Sequence, residues 1–376
     1  MNREYMNRQG SKHIIISGGG TGGHIFPAIS IANALLAIDG TIKILFVGAL
    51  GRMEMELVPS AGYNITGLPV EGLDRKRIFK NFGVAAMALK SLSMARKIIK
   101  EFQPDVAVGV GGYASGPLLW AAGQMKIPTL LQEQNSYAGV TNRILSRRAS
   151  VICVAYKGME KYFPAEKILL TGNPVRSTYS DLDRLRPEAL RFFNLDGSKP
   201  VALVLGGSLG AGSVNNALIE NPEGFKRIGV DWIWQTGKNY FGKVNSAVIS
   251  GELNNIQVRS FIDRMDLAYA AADMIISRSG AGTISELCLV GKPVILIPSP
   301  NVAEDHQTKN AMSLVGEGAA VLLADSDVMP RLIDIVSGLA SDNLKRETLS
   351  ENIRKLALPG SASLIASEII KLAEER

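Results

Sequence analysis

The chain is poor in the residues that metal and thiol chemistry need. Two cysteines, Cys153 and Cys288, stand far apart in 376 residues, both in apolar surroundings. That excludes a disulfide framework and a cysteine zinc site, and it implies buried thiols in a reducing compartment. Three histidines, His13, His24 and His306, share no ligand spacing, so no metal site is expected. Neither a G-x-S-x-G elbow nor a G-x-x-x-x-G-K-[ST] loop occurs, which removes two common catalytic signatures. A formal charge of +6 permits attraction to phosphates without requiring a nucleic acid or a membrane as partner. Residues 1–11 are polar and have no apolar core, so a disordered tail and no export signal are expected there. The uncharged stretch 106–125 is broken by Gly109, Gly111, Gly112, Gly116 and Pro117. It reads as a strand, a glycine loop and a helix start, not as a membrane span.

Glycine, by contrast, is concentrated. Residues 14–24 read IIISGGGTGGH, an apolar strand running into Gly18, Gly19, Gly20, Gly22 and Gly23 and then His24. Glycine costs backbone entropy and packs nothing, so such a loop is used to bring backbone N–H groups to an anion at a helix start. Pro27 near the helix start, followed by Ile29, Ala32, Leu35 and Leu36 at helical spacing, marks that helix. Gly18-x-Gly20-x-x-Gly23 also satisfies the dinucleotide fingerprint. The acidic residue that should close the second strand is missing, however: Val47-Gly48-Ala49 carries no carboxylate, and Glu54 and Glu56 come later, in a helical segment. A tight turn without ligand remains open, although five glycines exceed what a turn needs.

Apolar runs at 13–17, 42–47, 105–110, 127–132, 150–155, 201–206, 230–234, 273–277 and 293–298 alternate with helical stretches. Most do not alternate polar and apolar, as expected for strands buried on both faces of a parallel sheet. The fold class is therefore α/β, with right-handed crossovers. A charged, turn-rich segment near 172–200 interrupts the pattern, which then restarts as PVALVLGGSLGAGSVNNAL. Two doubly wound, Rossmann-like domains facing a cleft are expected, with the glycine loops at the C-terminal strand ends where such sheets bind ligands. The tail ASLIASEIIKLAEER reads as an amphipathic helix returning to the first domain.

Polar groups gather at the same strand ends. They are Gln132-Glu133-Gln134-Asn135, Ser277-Arg278-Ser279-Gly280-Ala281-Gly282-Thr283 with Glu286, and Asp305-His306-Gln307. Amides and carboxylates read sugar hydroxyls, and N–H arrays at helix starts read diphosphate. Together they describe a nucleotide-sugar site better than a nicotinamide site. For Glu133 a capping or ion-pairing role stays open, and for Glu286 that of a first-turn helix acid. Asp181-Leu182-Asp183, formally D-x-D, follows no apolar strand and reads as solvated. Residues 71–101 are basic, with Ile78, Phe79 and Phe82 set among Arg75, Lys76, Arg77 and Lys80. That mixture suits an anionic bilayer surface, whereas Phe82, Leu89, Leu92 and Ile99 lie at the spacing of an ordinary packed helix.

In order along the chain, SGGGTGGH, GVGGYASGP, EQNSYAGVTN, GNPVR, GGSLGA, FIDRM, SRSGAGTISE and DHQTKNA resemble the bacterial undecaprenyl-diphospho-muramoylpentapeptide N-acetylglucosaminyltransferases, over about residues 12–312. The resemblance implies the GT-B fold. It divides the chain into 12–175 plus 358–376, binding acceptor and membrane, and 176–357, binding the donor. It implies inverting transfer of N-acetylglucosamine from the UDP-sugar to the 4-hydroxyl of the muramoyl unit of lipid I, giving lipid II. The setting it implies is the cytoplasmic face of the plasma membrane, bound peripherally through Ile78, Phe79 and Phe82, with no cofactor and no nucleic acid. Ile262 would bond the uracil through its backbone and Glu286 the ribose. Ser208, Arg176, Ala281, Gly282 and Thr283 would hold the diphosphate, and His306 and Gln307 the sugar hydroxyls. The family often has two glutamines where this chain has His306-Gln307. Thr21, Gly22, Gly23 and Asn135 would reach the donor from the first domain; Gly20, Thr21, Tyr113 and Asn142 would hold the acceptor. His24 would be the base, with Glu133 orienting it or serving as the base itself. Rivals on the same fold are a glycolipid synthase and a UDP-sugar 2-epimerase, and outside catalysis a sugar-nucleotide or lipid-carrier binding protein.

Overall fold

In the computed structural model the described residues are 11–70, 81–175, 179, 181–207, 210–302 and 305–376, with the side chains of 81–86 left aside. The polar start, Ile78, Phe79, Arg176 and Ser208 therefore lie outside them, as does the side chain of Phe82. The chain divides into two compact units, one reaching to Val175 and taking back Gly360–Arg376, the other holding the residues between.

The first unit carries seven strands: β1 His13–Ser17, β2 Lys43–Ala49, β3 Asn64–Leu68, β4 Val106–Gly109, β5 Thr129–Glu133, β6 Val151–Val154 and β7 Ile168–Leu170. They lie in the order β3-β2-β1-β4-β5-β6-β7, with every pairing parallel. Ile14, Ile15 and Ile16 are all fully buried because successive side chains point to opposite faces and both faces are covered. Ile14 and Ile16 join Val106, Val108 and Leu130 beneath the helix Gly22–Ile38 and the C-terminal helix Ser361–Glu374. Ile15 joins Ala107, Leu131 and Ile152 on the other face, with Leu118, Leu119, Ile98 and Ile99. The uncharged stretch 106–125 resolves into β4 and the helix Ser115–Gln124. Among the described residues no helix is long and apolar enough to cross a membrane.

The second unit repeats the plan with β8 Val201–Leu205, β9 Asp231–Gln235, β10 Ile256–Arg259, β11 Met274–Ser277, β12 Val294–Leu296 and β13 Val321–Leu322. Their order is β10-β9-β8-β11-β12-β13, again all parallel. Phe225, Trp232 and Trp234 pack with ring centroids 5.0–5.7 Å apart in its core. In each sheet the chain reverses direction beside the first strand, between β1 and β4 and between β8 and β11. Open α/β sheets bind ligands at that switch point, beyond the strands' carboxyl ends.

Three local expectations differ from the structure. The first helix begins at Gly22, so Gly22, Gly23 and His24 form its first turn, and Pro27 lies inside it. Leu89 does not face the core: it is 71% exposed. The buried stripe of the helix Asn81–Phe102 runs through Ser91, Ala95, Ile98 and Ile99, because that face meets the helix Ser115–Gln124. Four strands were not expected, β3, β7, β10 and β13, and these are the four sheet edges.

Both cysteines are buried, and burial pushes each thiol up to about 12. Unfolded thiols ionise near 9, so below that pH they add no pH dependence. Above it the unfolded chain binds fewer protons than the native one, and stability falls as pH rises. Native protein is accordingly expected to resist a disulfide-exchange reagent at pH 8 until denaturant exposes both thiols. On the C-terminal helix Ile369 is fully buried and Leu364 is 42% exposed. Ile369→Ala should cost about 2–5 kcal/mol in urea denaturation of the first unit, and Leu364→Ala no more than about 0.5 kcal/mol.

Candidate functional site

In the first unit two glycine loops meet at the switch point. The loop after β1 turns through Gly20, at φ +82, into the helix Gly22–Ile38. The loop after β4 passes through Gly111 and Gly112 at φ +96 and +90. A Cβ at Gly112 would lie 2.4 Å from the Gly19 carbonyl oxygen, and one at Gly111 would lie 2.8 Å from the His24 ring. Both positions therefore demand glycine twice over, by backbone angle and by space. Ser115, buried at the start of the next helix, donates to the carbonyls of Ser17 (3.0 Å) and Gly111 (2.8 Å) and ties the two loops together.

His24 is half-buried in this junction. Its Nδ1 lies 2.9 Å from the Gly19 carbonyl and 3.3 Å from Thr21 Oγ1. A carbonyl oxygen can only accept, so Nδ1 carries the proton and Nε2 is the basic nitrogen. Thr21, the residue before the helix, is extended and gives no side-chain cap, and the first turn holds no acid. That leaves the positive end of the helix dipole without an internal counter-charge on its own helix. Tyr113 is exposed nearby in sequence, in the loop after β4.

The polar end of β5 is not what its composition suggests. Glu133 is 2% exposed. Its Oε1 accepts from the Asn135 amide (3.1 Å) and Nδ2 (3.3 Å), and its Oε2 from the Gly139 amide (3.0 Å) and Asn142 Nδ2 (2.9 Å). The carboxylate's accepted bonds fold its own loop, as a capping role would have it. Asn142, expected at the acceptor, is likewise 2% exposed and holds Glu133 and the Gln132 carbonyl. Gln134 donates to the Val110 carbonyl at 2.8 Å, and Gln132 to Asn173 Oδ1 at 3.0 Å, both buried. Of this cluster Asn135 alone is half-exposed. Burial of unpaired amides is costly, so these side chains are turned inward to satisfy backbone groups of neighbouring loops.

In the second unit the loop after β8 folds Gly206 against the Gln235 carbonyl and Gly210, at φ +91, against that of Thr236. The loop after β11 is fixed by Arg278. Its guanidinium donates to the carbonyls of Ile297 (3.1 Å) and Pro298 (3.3 Å), to Ser213 Oγ (3.2 Å) and to the Asp325 carboxylate. Gly280 then opens the helix Ala281–Val290, extended, without a side-chain cap or an acid in the first turn, so the positive end of the helix dipole lies at Ala281, Gly282 and Thr283. Glu286, further along the helix, accepts from the hydroxyls of Tyr179 and Tyr269. Burial, and then the Glu286 charge, push the Tyr269 phenol well above its ordinary value. Gln307 is anchored through Oε1 to the Ser299 amide (2.8 Å) and through its carbonyl to Ser279 Oγ (2.8 Å); His306 starts the helix His306–Val315 beside it. The Ile262 amide donates to Gln235 Oε1 at 3.2 Å. Tyr179, Tyr269, Arg278 and Asp325 were not singled out as pieces of one device, because each depends on a partner remote in sequence. Among the described residues no group of three His, Cys, Asp or Glu side chains is arranged to hold a metal ion.

Two switch-point loops, each opening a helix with no acid in its first turn on a doubly wound sheet, fit a glycosyltransferase of the GT-B class. The glycosyltransferase family 28 N-terminal domain matches residues 14–154 and its C-terminal domain residues 201–366. The chain belongs to this family. It is 57% identical, over 96% of its length and 98% of the relative's, to the UDP-N-acetylglucosamine--N-acetylmuramyl-(pentapeptide) pyrophosphoryl-undecaprenol N-acetylglucosamine transferase of Bacteroides thetaiotaomicron. Among solved structures, MurG of Acinetobacter baumannii superposes with a TM-score of 0.81 at 29% identity, covering 96% of this chain and 99% of that one. A UDP-GlcNAc 2-epimerase from Neisseria meningitidis shares the fold alone, at a TM-score of 0.64 and 14% identity, covering 96% and 100%.

If Glu133 is a scaffold, Glu133→Ala strands several buried donors, each costing about 1–3 kcal/mol. The expected result is a lower midpoint in urea and faster amide exchange at Asn135 and Gly139. An unchanged midpoint with lost turnover would return Glu133 to a purely chemical role.

Proposed function

We propose that this chain is an inverting transferase. It moves N-acetylglucosamine from UDP-N-acetylglucosamine to the 4-hydroxyl of the muramoyl unit of lipid I and so forms lipid II. Full-length similarity to the named transferase supports this reading. The observation that carries the chemistry is the orientation of His24, whose Nδ1–H is donated to Gly19 and whose Nε2 is thereby basic. The acceptor oxygen attacks the anomeric carbon as the bond to the UDP oxygen breaks, and the hydroxyl proton passes to Nε2. The imidazole suits that task because its ordinary pKa lies near neutrality. Thr21 and Tyr113, in the first-domain glycine loops, would hold the acceptor diphosphate at the uncapped helix start, and Gly22 and Gly23 would reach the donor.

In the second domain the departing diphosphate would meet the N-terminus at Ala281, Gly282 and Thr283, with Arg176 and Ser208 beside it. Charge developing on the leaving group is stabilised best by donors already fixed in place, and the Arg278 lock supplies that fixity to the loop. Glu286, held by Tyr179 and Tyr269, would take the ribose hydroxyls, and His306, Gln307 and Asn135 those of the sugar. Ile262 would offer its carbonyl to the uracil. Ile78, Phe79 and Phe82, among basic residues, would rest on the anionic cytoplasmic surface of the membrane as a peripheral anchor. No nucleic acid enters this reading.

The test is transfer of label from radiolabelled UDP-N-acetylglucosamine to a lipid I analogue in detergent with a chelator. Label in the lipid only when acceptor is added is the expected result; UDP release without acceptor would indicate epimerase chemistry and overturn it. His24→Ala should lower kcat by about 10²–10⁴-fold while donor affinity stays within about twofold. Equal losses in both would make His24 a binding residue.

A further inference from the structure

The carboxylate missing from the end of β2 has not vanished. Glu54 opens the short helix Glu54–Ser60 and is fully buried. Its Oε1 accepts from the Ala49 amide at 3.0 Å, at the end of β2, and its Oε2 from the Gly20 amide at 2.9 Å, in the glycine loop. The fit is close on two sides. A Cβ at Gly19 would lie 2.1 Å from Glu54 Oε1, and one at Gly48 would lie 2.6 Å from Glu54 Cγ. Gly48 sits inside a strand, where glycine marks the close approach of another group. The Gly20 amide, expected to bind acceptor, is therefore already engaged by an anion of the protein itself.

We propose that Glu54 is a positioning residue for the reaction. It is a built-in anion beneath the loop 18–23 that sets the loop's shape for the acceptor diphosphate and, through Gly19, the direction of the His24 ring. The chain of contact is short. Glu54 holds Gly20, Gly20 follows Gly19, and the Gly19 carbonyl takes the Nδ1–H of His24 at 2.9 Å. The buried side of the loop carries the carboxylate, and the exposed side carries Thr21, Gly23 and the helix start. A ligand anion on the exposed side would thus meet amides whose directions are set before it arrives, the arrangement that lowers the cost of binding. Glutamine in place of Glu54 keeps the shape but turns an NH2 group toward either the Gly20 or the Ala49 amide, donor against donor. Aspartate keeps the charge but is one methylene short of spanning both.

The inference rests on the proposed transferase activity, and the experiment separates the two. Transfer to the lipid I analogue, binding of UDP-N-acetylglucosamine and urea stability are measured for wild type, Glu54→Gln, Glu54→Asp and Ile369→Ala. The last weakens the same domain from its core. Misplacement of a loop by a fraction of an ångström is expected to lower acceptor kcat/KM at least about tenfold in both Glu54 variants, with donor affinity and the Ile369→Ala kcat/KM within about twofold of wild type. Acceptor kcat/KM that stays level or rises in Glu54→Gln would overturn the proposal and show that charge repulsion with the diphosphate outweighs positioning. A fall no greater than that of Ile369→Ala, or one shared equally with donor affinity, would also overturn it. A wild type that transfers no label would overturn the functional reading instead.

Discussion

The first domain's site depends on one close contact, Gly112 against the carbonyl of Gly19. No side chain fits there, since even a Cβ would come within 2.4 Å of that oxygen. Because the loops after β1 and β4 touch backbone to backbone, the Gly19 carbonyl is held where His24 Nδ1 can donate to it, and the ring lies flush against Gly111. Glu54 closes the opposite side of the same residue. Three groups thus converge on a single peptide, and the histidine's tautomer and direction follow from where that peptide sits. An imidazole held in this way needs no reorganisation to present Nε2, which is what fixed geometry contributes to a site.

The second domain solves the same topological problem with different chemistry. Its switch-point loop is braced by the Arg278 fork, which spans two carbonyls, a hydroxyl and Asp325. A planar guanidinium suits this because it reaches several acceptors in one rigid geometry. The bracing charge is paired with Asp325, and the helix that follows opens at Ala281 with no acid in its first turn. In the first domain the brace is an anion, Glu54, and in the second a cation, Arg278.

Strand identity was legible where strands are central and illegible where they are edges. Ile14-Ile15-Ile16 and Val201-Ala202-Leu203-Val204 are buried on both faces and read as unbroken apolar runs. Asn64-Ile65-Thr66-Gly67-Leu68 and Ile256-Gln257-Val258-Arg259 line one side of a sheet edge, keep partial exposure, and carry the mixed composition of ordinary loops. The glycine loops were legible for a related reason. A backbone that must adopt positive φ or make close approach leaves its mark in composition, whatever the partner is. The partner itself leaves none: the bond between Glu54 and Gly20 spans 34 positions, and that between Gln132 and Asn173 spans 41.

By itself, then, the sequence determined the α/β class, the two repeated glycine-loop units and the residue types at the strand ends. These follow from local rules of spacing and steric freedom that act along the chain. Tertiary structure alone decided which polar groups face a ligand and which face inward. Gln132, Glu133 and Gln134 look like hydroxyl readers in the sequence and are buried supports in the fold, while Glu54, which reads only as part of a helical segment, accepts from the loop that holds His24. The reason is physical: a polar side chain's role is set by whether folding leaves it a buried backbone group to satisfy, and those groups come from loops far away in the chain.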